Sequence, residues 1–462
     1  MISDQSNSHA LPCRLRRVPV RASFFCILSL AGIAGRPEAA DRIGEPKGGS
    51  APFSSELAPA RPSERRRRLL EALPEGIVMI SASISIELER YRESPNFLYF
   101  AGHELPGATV VFRSTKVGRN ESILFLPKKN SRGNQWLGEP IAVSGDSKKD
   151  GELALRLGVD RVEPSDTLEP IVSDWAQGTK RLHLPFDPRS SDDPAARRLE
   201  PILRALRRRR PALQLLDARG AMAALRLEKD EDEIASIRKA VDVTADAHRA
   251  AAQTIRPGVN EGEIDGLVYQ KIRAAGAERL GFASIVGSGV RAAILHYNRN
   301  LEIMPEGELV VVDIGASWGN YSADLTRTYP VSGKFSKRQR ELYEVVLGAR
   351  RAALDSIRPG KRIHEDIHQA AVNYFRRAGY EKYFTHGTSH YLGLEVHDPG
   401  DYSHPLTPGV VLTIEPGVYL PEEHIGIRIE DDVLVTEGDP IVLSSRLPVE
   451  AEEIERMMAA GK

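Results

Sequence analysis

Cysteine is almost missing from this 462-residue chain: Cys13 and Cys26 are the only two, and both lie near the N-terminus. That excludes a disulfide framework, a thiolate metal site or a cysteine nucleophile in the body of the protein. An excess of one charge is missing too. The formal net charge is −1, so nothing in the balance calls for a nucleic-acid partner. Two local basic runs, Arg65–Arg68 and Arg207–Arg210, sit beside apolar residues (Leu69, Leu70; Leu203, Leu206) and read as solvated helix faces. The first half has no phosphate-cradling glycine loop. Past residue 40 no hydrophobic run is long enough to span a membrane. Before it, Arg14, Arg16, Arg17 and Arg21 precede the apolar stretch Ala22–Gly35. That stretch is too short for an ordinary spanning helix and has the form of a signal-peptide core. Residues 1–40 are therefore expected to be a signal peptide, with the mature chain exported to a periplasm or secreted. Without that processing the expected compartment is the cytoplasm.

What is present suits a soluble globular enzyme: 41% hydrophobic and 27% charged residues, in a chain long enough for two or three domains. Residues 41–62, rich in Pro, Ala, Gly and Ser, read as a linker. Residues 63–220 read as an α/β domain. Its strand-like runs are Gly76–Ser81, Phe97–Ala101, Ala108–Phe112, Ser122–Pro127 and Leu182–Phe186, with a helix near Pro194–Arg208. A second domain, 221–462, opens with a charged helix-favouring stretch, Arg226–Arg238. Helices are predicted at Glu261–Ala275, Lys337–Ile357 and Ile363–Ala378, the last two parted by Pro359-Gly360.

The chemistry concentrates in that second domain. Leu309–Tyr329 reads as strand, turn, strand about Trp318-Gly319, which sets Asp313 opposite Asp324. Opposed side chains share a sheet face with Cβ atoms about 4.5–5.5 Å apart, so two carboxylates there repel unless a cation lies between them. Val410–Val435, folded about Glu422-Glu423, likewise sets Glu415 opposite Glu430, with Pro416 as a possible bulge. Two acidic pairs in one domain point to a shared cation site; hydrogen-bonded structural acids are the alternative. His386, His390 and His397 fall within one glycine-bearing segment, and His296 lies apart in Ile294-Leu-His-Tyr-Asn298. His364-Glu-Asp-Ile-His368 satisfies the H-E-x-x-H zinc pattern. It reads better as the polar first turn of a helix whose apolar side continues through Ala371, Tyr374 and Phe375.

The stretches DIGASWGNYSADLTRTYPVSGKF, HGTSHYLGLEVHD, TIEPGVYL and GIRIEDD resemble the pita-bread metallopeptidases, and within them the aminopeptidase P and prolidase group. The likeness runs through about 225–455, and Tyr91–Gly102 resembles that group's first domain. The resemblance implies an α/β N-terminal domain followed by an α+β pita-bread (creatinase/aminopeptidase) catalytic domain. It implies Asp313, Asp324, His390, Glu415 and Glu430 as ligands of two divalent metal ions, with Asp324 and Glu430 bridging. Mn²⁺ is the first candidate for this oxygen-rich set, with Co²⁺, Zn²⁺ or Fe²⁺ as alternatives. Catalytic roles are implied for Glu415 as general base, for His296, His386 and His397 as substrate-orienting groups, and for Arg428 as a holder of carboxylates. The implied reaction is hydrolysis of an N-terminal Xaa-Pro bond in a peptide substrate, by a homo-oligomer with no membrane span. A dipeptide-only prolidase is one alternative, and a non-catalytic binding module on the same fold is another. The short loop between the Glu415 and Glu430 strands, and the segment around Phe125–Lys129 and Trp136, favour the aminopeptidase.

Overall fold

The computed structural model describes residues 60–84, 91–114, 119–128, 141–190 and 193–461. The expected signal peptide, both cysteines, most of the expected linker, Lys129 and Trp136 lie outside the described residues. Among the described residues no helix is long and apolar enough to cross a membrane.

The first domain is built on six strands: β1 (Ile77–Ser81), β2 (Thr109–Ser114), β3 (Asn120–Leu126), β4 (Arg161–Pro164), β5 (Arg181–Leu184) and β6 (Gln214–Asp217). Their order is β4-β3-β2-β1-β5-β6. Strand alternation sorts the apolar residues onto two faces. Ile77, Met79, Val111, Ile123 and Phe125 pack under the helices Leu168–Trp175 and Pro194–Arg209. Val78, Ile80, Val110, Phe112 and Leu124 face the other way, into a core continuous with the second domain.

Four local expectations are corrected. Phe97–Ala101 is not a strand but part of the helix Pro95–Ala101. Ser94 caps it, Pro95 occupies the first turn, and Gly102 closes it at φ 82°. Its residues Phe97 to Ala101 are all buried, so no helical period shows. The first helix, Ala60–Ala72, begins inside the expected linker. Its basic run is only half solvated, because Arg65 and Arg66 are buried. Arg65 pairs with Asp230 and Glu233, and Arg66 donates to the carbonyls of Phe100 and Gly158. Finally, the stretch from Arg226 is two helices. Arg219–Leu227 straddles the expected domain boundary, and Glu231–Thr254 restarts at Asp230, whose carboxylate and Glu233 form a reciprocal capping box.

In the second domain, β7 (Arg279–Leu280) and β8 (Ile285–Ser288) precede β9 (Leu309–Ile314), β10 (Ala316–Trp318), β11 (Tyr321–Ser322) and β12 (Leu325–Pro330). The helices Lys337–Leu354 and Gln369–Ala378 follow, the latter preceded by a π-helical turn, Ile363–His368. Then come β13 (Val411–Ile414), β14 (Gly417–Leu420), β15 (Ile425–Arg428), β16 (Asp431–Leu434) and β17 (Ile441–Val442). An isolated bridge, Thr326 to Glu430, ties the two acidic hairpins together.

Candidate metal centre

The first hairpin turns at Gly319-Asn320 rather than at Trp318-Gly319. Both residues have positive φ, 57° and 67°, as a tight two-residue hairpin turn requires. The register is therefore displaced by two residues from the expected one: Asp313 faces Thr326, not Asp324. A shift of two keeps side chains on the same face, so Asp324 becomes the diagonal neighbour of Asp313 and their carboxyl groups still meet. Gly315 lies between them because a Cβ there would strike the Ala323 carbonyl.

The second hairpin keeps its expected register. Gly417 pairs with Arg428, and Ile414 with Asp431, so Glu415 and Glu430 stand opposite one another between two short ladders. Pro416 has no N–H to donate and marks the break between those ladders. The Glu415 N–H instead reaches the Thr388 carbonyl at 2.8 Å, and the Glu430 N–H reaches Thr326 O at 3.0 Å. Those two bonds bring the histidine segment and both hairpins to one place.

The result is a cavity of about 590 Å³ lined by every candidate residue named from the sequence: Asp313, Asp324, His390, Glu415, Glu430, His296, His386, His397 and Arg428. Ligand atoms of Asp324, His390 and Glu430 lie within 4.8 Å of one another. His390 donates from Nδ1 to its neighbour's carbonyl, Tyr391 O, at 3.1 Å. That leaves Nε2 as a lone pair, 3.4 Å from Asp324 Oδ2 and 3.7 Å from Glu415 Oε1.

This arrangement is electrostatically incomplete without a cation. Burial, then Asp313, Asp432 and Glu415, hold the Asp324 carboxyl well above the usual carboxylate range. Burial and the neighbouring acids do the same to Glu430, and burial pushes Glu415 up to about 7. Asp313 Oδ1 and Asp324 Oδ1 are buried with no hydrogen-bond partner. Buried carboxylates are normally paired or hold metal, so the donor set fits divalent cations bound by hard oxygen ligands and one imidazole.

Three further residues were not named from the sequence. The Thr326 hydroxyl donates to Glu430 Oε2 at 2.7 Å and accepts from Arg428 Nε at 3.2 Å. Tyr419 OH accepts from Arg428 Nη1 at 3.0 Å and meets His386 Nε2 at 2.8 Å. Asp432 Oδ2 accepts the Asp324 N–H at 3.0 Å. A signal existed for the first two: Thr326 follows Asp324 by two residues and Tyr419 follows Glu415 by four, so strand period places each on its acid's face. Arg428 also donates from Nη2 to Asp313 Oδ2 at 2.6 Å, which fixes that carboxylate. His386 donates from Nδ1 to the Gly387 carbonyl. Burial, then the Arg428 charge, push its imidazole down to about 4, so it is neutral and accepts from Tyr419. The H-E-x-x-H histidines lie elsewhere: His364 stacks on Tyr402, and His368 Nδ1 bonds Thr388 Oγ1 at 2.9 Å.

The family model for metallopeptidase family M24 matches residues 235–437, and that for the aminopeptidase P N-terminal domain matches 63–183. The chain is 32% identical to the Xaa-Pro aminopeptidase of Escherichia coli K12 over 445 residues, covering 88% of this chain and 99% of that one. It is 30% identical to human Xaa-Pro aminopeptidase 3, covering 79% and 76%. The structure of E. coli aminopeptidase P with the inhibitor Pro-Leu superposes with a TM-score of 0.79 at 31% identity, covering 88% of this chain and 99% of that one. Both domains are thus matched, the second over the residues that carry most of the acidic hairpins and the histidine segment, and the chain belongs to metallopeptidase family M24, in its aminopeptidase P group.

Proposed function

We propose that this chain is a metal-dependent Xaa-Pro aminopeptidase that hydrolyses the bond between an N-terminal residue and the proline after it. One observation carries the reading: four carboxylates and one imidazole from separate segments of the chain converge in a single cavity and leave buried oxygens without partners. The E. coli relatives matched over 99% of their length are aminopeptidases, so the prolidase alternative is not favoured.

Asp313, Asp324, His390, Glu415 and Glu430 are the residues that would hold two divalent ions, with Mn²⁺ the first candidate. Such ions supply Lewis acidity that polarises the scissile carbonyl and acidifies water. The chain's own groups do the rest. A proline amide is tertiary and has no N–H, so its nitrogen must gain a proton as the C–N bond breaks. In this reading Glu415 takes a proton from the attacking water and hands it to that nitrogen. His386 Nδ1 lies 3.6 Å from Glu415 Oε2, on the cavity side of the carboxylate. His296 and His397 line the same cavity from exposed positions. Partial desolvation at the cavity wall and the adjacent His390 push His397 down to about 4, so in this reading it meets substrate as a neutral N–H donor suited to a developing oxyanion.

The deciding assay compares kcat/KM for a Xaa-Pro dipeptide with that for the same sequence extended by two residues, in protein supplied with Mn²⁺. Release of the first residue from the longer peptide, abolished by chelation, is expected. Cleavage of the dipeptide alone would make the chain a prolidase, and turnover by exhaustively metal-free protein would end the model. Export is proposed from the basic segment Arg14–Arg21 followed by Ala22–Gly35. N-terminal sequencing of protein from the native host should then find a start between about 35 and 44.

A further inference from the structure

His296 is exposed, and the segment that carries it, 288–302, runs from the end of β8 through one short 3-10 helix, Gly289–Ala293, and is irregular from there on. Asn300 ties the segment to the Val286 N–H and the Ser284 carbonyl, and Asn260 Nδ2 donates to the Leu301 carbonyl, but five of its donors converge on one carboxylate outside the cavity. Glu261 is fully buried in the first turn of the helix Glu261–Ala274. Its Oε1 accepts from the Ser288 N–H at 2.9 Å, Ser288 Oγ at 2.8 Å and Arg291 Nε at 3.0 Å. Its Oε2 accepts from Tyr297 OH at 2.9 Å and the Glu302 N–H at 3.1 Å. All these donors come from the segment carrying His296, and Tyr297 is its chain neighbour. The helix N-terminus adds a favourable partial charge beneath the carboxylate. On the opposite side β15 abuts the segment, since a Cβ on Gly426 would strike the Ala292 carbonyl.

We infer that Glu261 is a positioning residue for Xaa-Pro hydrolysis, holding His296 at the cavity through the Ser288–Glu302 segment. The inference rests on the reading of His296 as a substrate-orienting group. A glutamine cannot replace this carboxylate. Its amide has one oxygen, so its NH₂ must face either the Glu302 N–H or the Ser288 and Arg291 N–H groups, donor against donor. A segment loosened by this mismatch displaces His296, and displacements near 1 Å cost rates about 100-fold.

The test uses the full chain supplied with Mn²⁺ and an Xaa-Pro tripeptide. Glu261→Gln and His296→Ala are each expected to lower kcat/KM by about 10- to 100-fold. Their combination should be no worse than His296→Ala within about twofold, because both act through one imidazole. Amide exchange at Ser288 and Glu302 should quicken in Glu261→Gln while the strand Leu309–Ile314 stays protected. Multiplying losses in the double variant, or full activity in Glu261→Gln, would overturn the inference. Should Glu261→Gln fail to fold, Tyr297→Phe keeps the ring and removes one bond. It should give a smaller loss that likewise disappears on the His296→Ala background, and a loss that persists there refutes the role. Full activity in His296→Ala would remove this inference with the role of His296, while Xaa-Pro turnover by the unaltered chain would leave the aminopeptidase reading standing.

Discussion

Glu415→Gln should stabilise the metal-free protein while destroying its activity. Folding raises the Glu415 carboxyl from 4.5 to about 7, chiefly by burial. The folded metal-free state therefore holds this proton more tightly than the unfolded state. Below pH 4.5 the group is neutral in both states and costs nothing; stability is lost as the pH rises through about 7. At about 1.36 kcal/mol for each factor of ten in the ionisation constant, the full loss is about 3 kcal/mol. An amide has no charge to desolvate and escapes it. With an unfolding entropy near 2.1 cal/mol/K per residue over roughly 400 residues, 3 kcal/mol is worth about 4 °C in Tm. The assay is calorimetry of chelated protein at pH 8 and pH 5, then with Mn²⁺ added. The variant should melt about 4 °C higher at pH 8 and only about 1 °C higher at pH 5. Added Mn²⁺ should invert the order, because a ligand that binds only the folded state stabilises in proportion to its affinity. A variant no more stable than wild type at pH 8, or equally favoured at pH 5, would refute the view that this carboxyl is held against electrostatic cost for a cation.

Thr326→Val removes the hydroxyl that links Arg428 to Glu430. Metal affinity, measured by titration with a competing chelator, should fall by about 10- to 100-fold, and an unchanged affinity would leave Thr326 a packing residue. Asp431 is buried between Arg327 and Arg350, which hold its carboxyl far below the usual range. Asp431→Asn leaves two buried guanidinium groups underpaired and should cost about 3–5 kcal/mol in denaturant unfolding; a loss below about 1 kcal/mol would match a surface pair instead. His248 is fully buried between Tyr329 OH and the Leu325 carbonyl, and burial pushes it down to about 3. The folded state therefore resists its protonation. This contribution is complete above pH 6.5 and is lost as the pH falls toward 3, at about 1.4 kcal/mol per pH unit. His248→Gln should flatten the pH dependence of unfolding between those limits, and an unchanged slope would reject the assignment.

Much of the centre was legible in the chain because its acids sit on hairpins, where spacing along the sequence becomes spacing across a sheet. Strand period, with a turn position read for each hairpin, put Asp313 with Asp324, and Glu415 with Glu430, on common faces. The second register was readable to the residue because a four-residue loop about Glu422-Glu423 leaves little freedom. The first was displaced by two residues because Gly319-Asn320, both able to take positive φ, form the turn. The caps at Asp230 and Ser94 went unread in the sequence, the second because the buried run after Ser94 hid the helical period. Tertiary structure decided the rest. Nothing local says that Glu430 bridges to Thr326, that the Glu415 N–H is taken by Thr388, or that Asp432 lies behind Asp324. Nor does the basic run of the first helix announce that Arg65 and Arg66 turn inward to acids and carbonyls far along the chain. These contacts join segments tens to hundreds of residues apart, and their partners are chosen by which faces remain to be covered once each hairpin and helix has formed. Sequence periodicity states which side of an element a residue occupies; only the packing of elements states what it meets there.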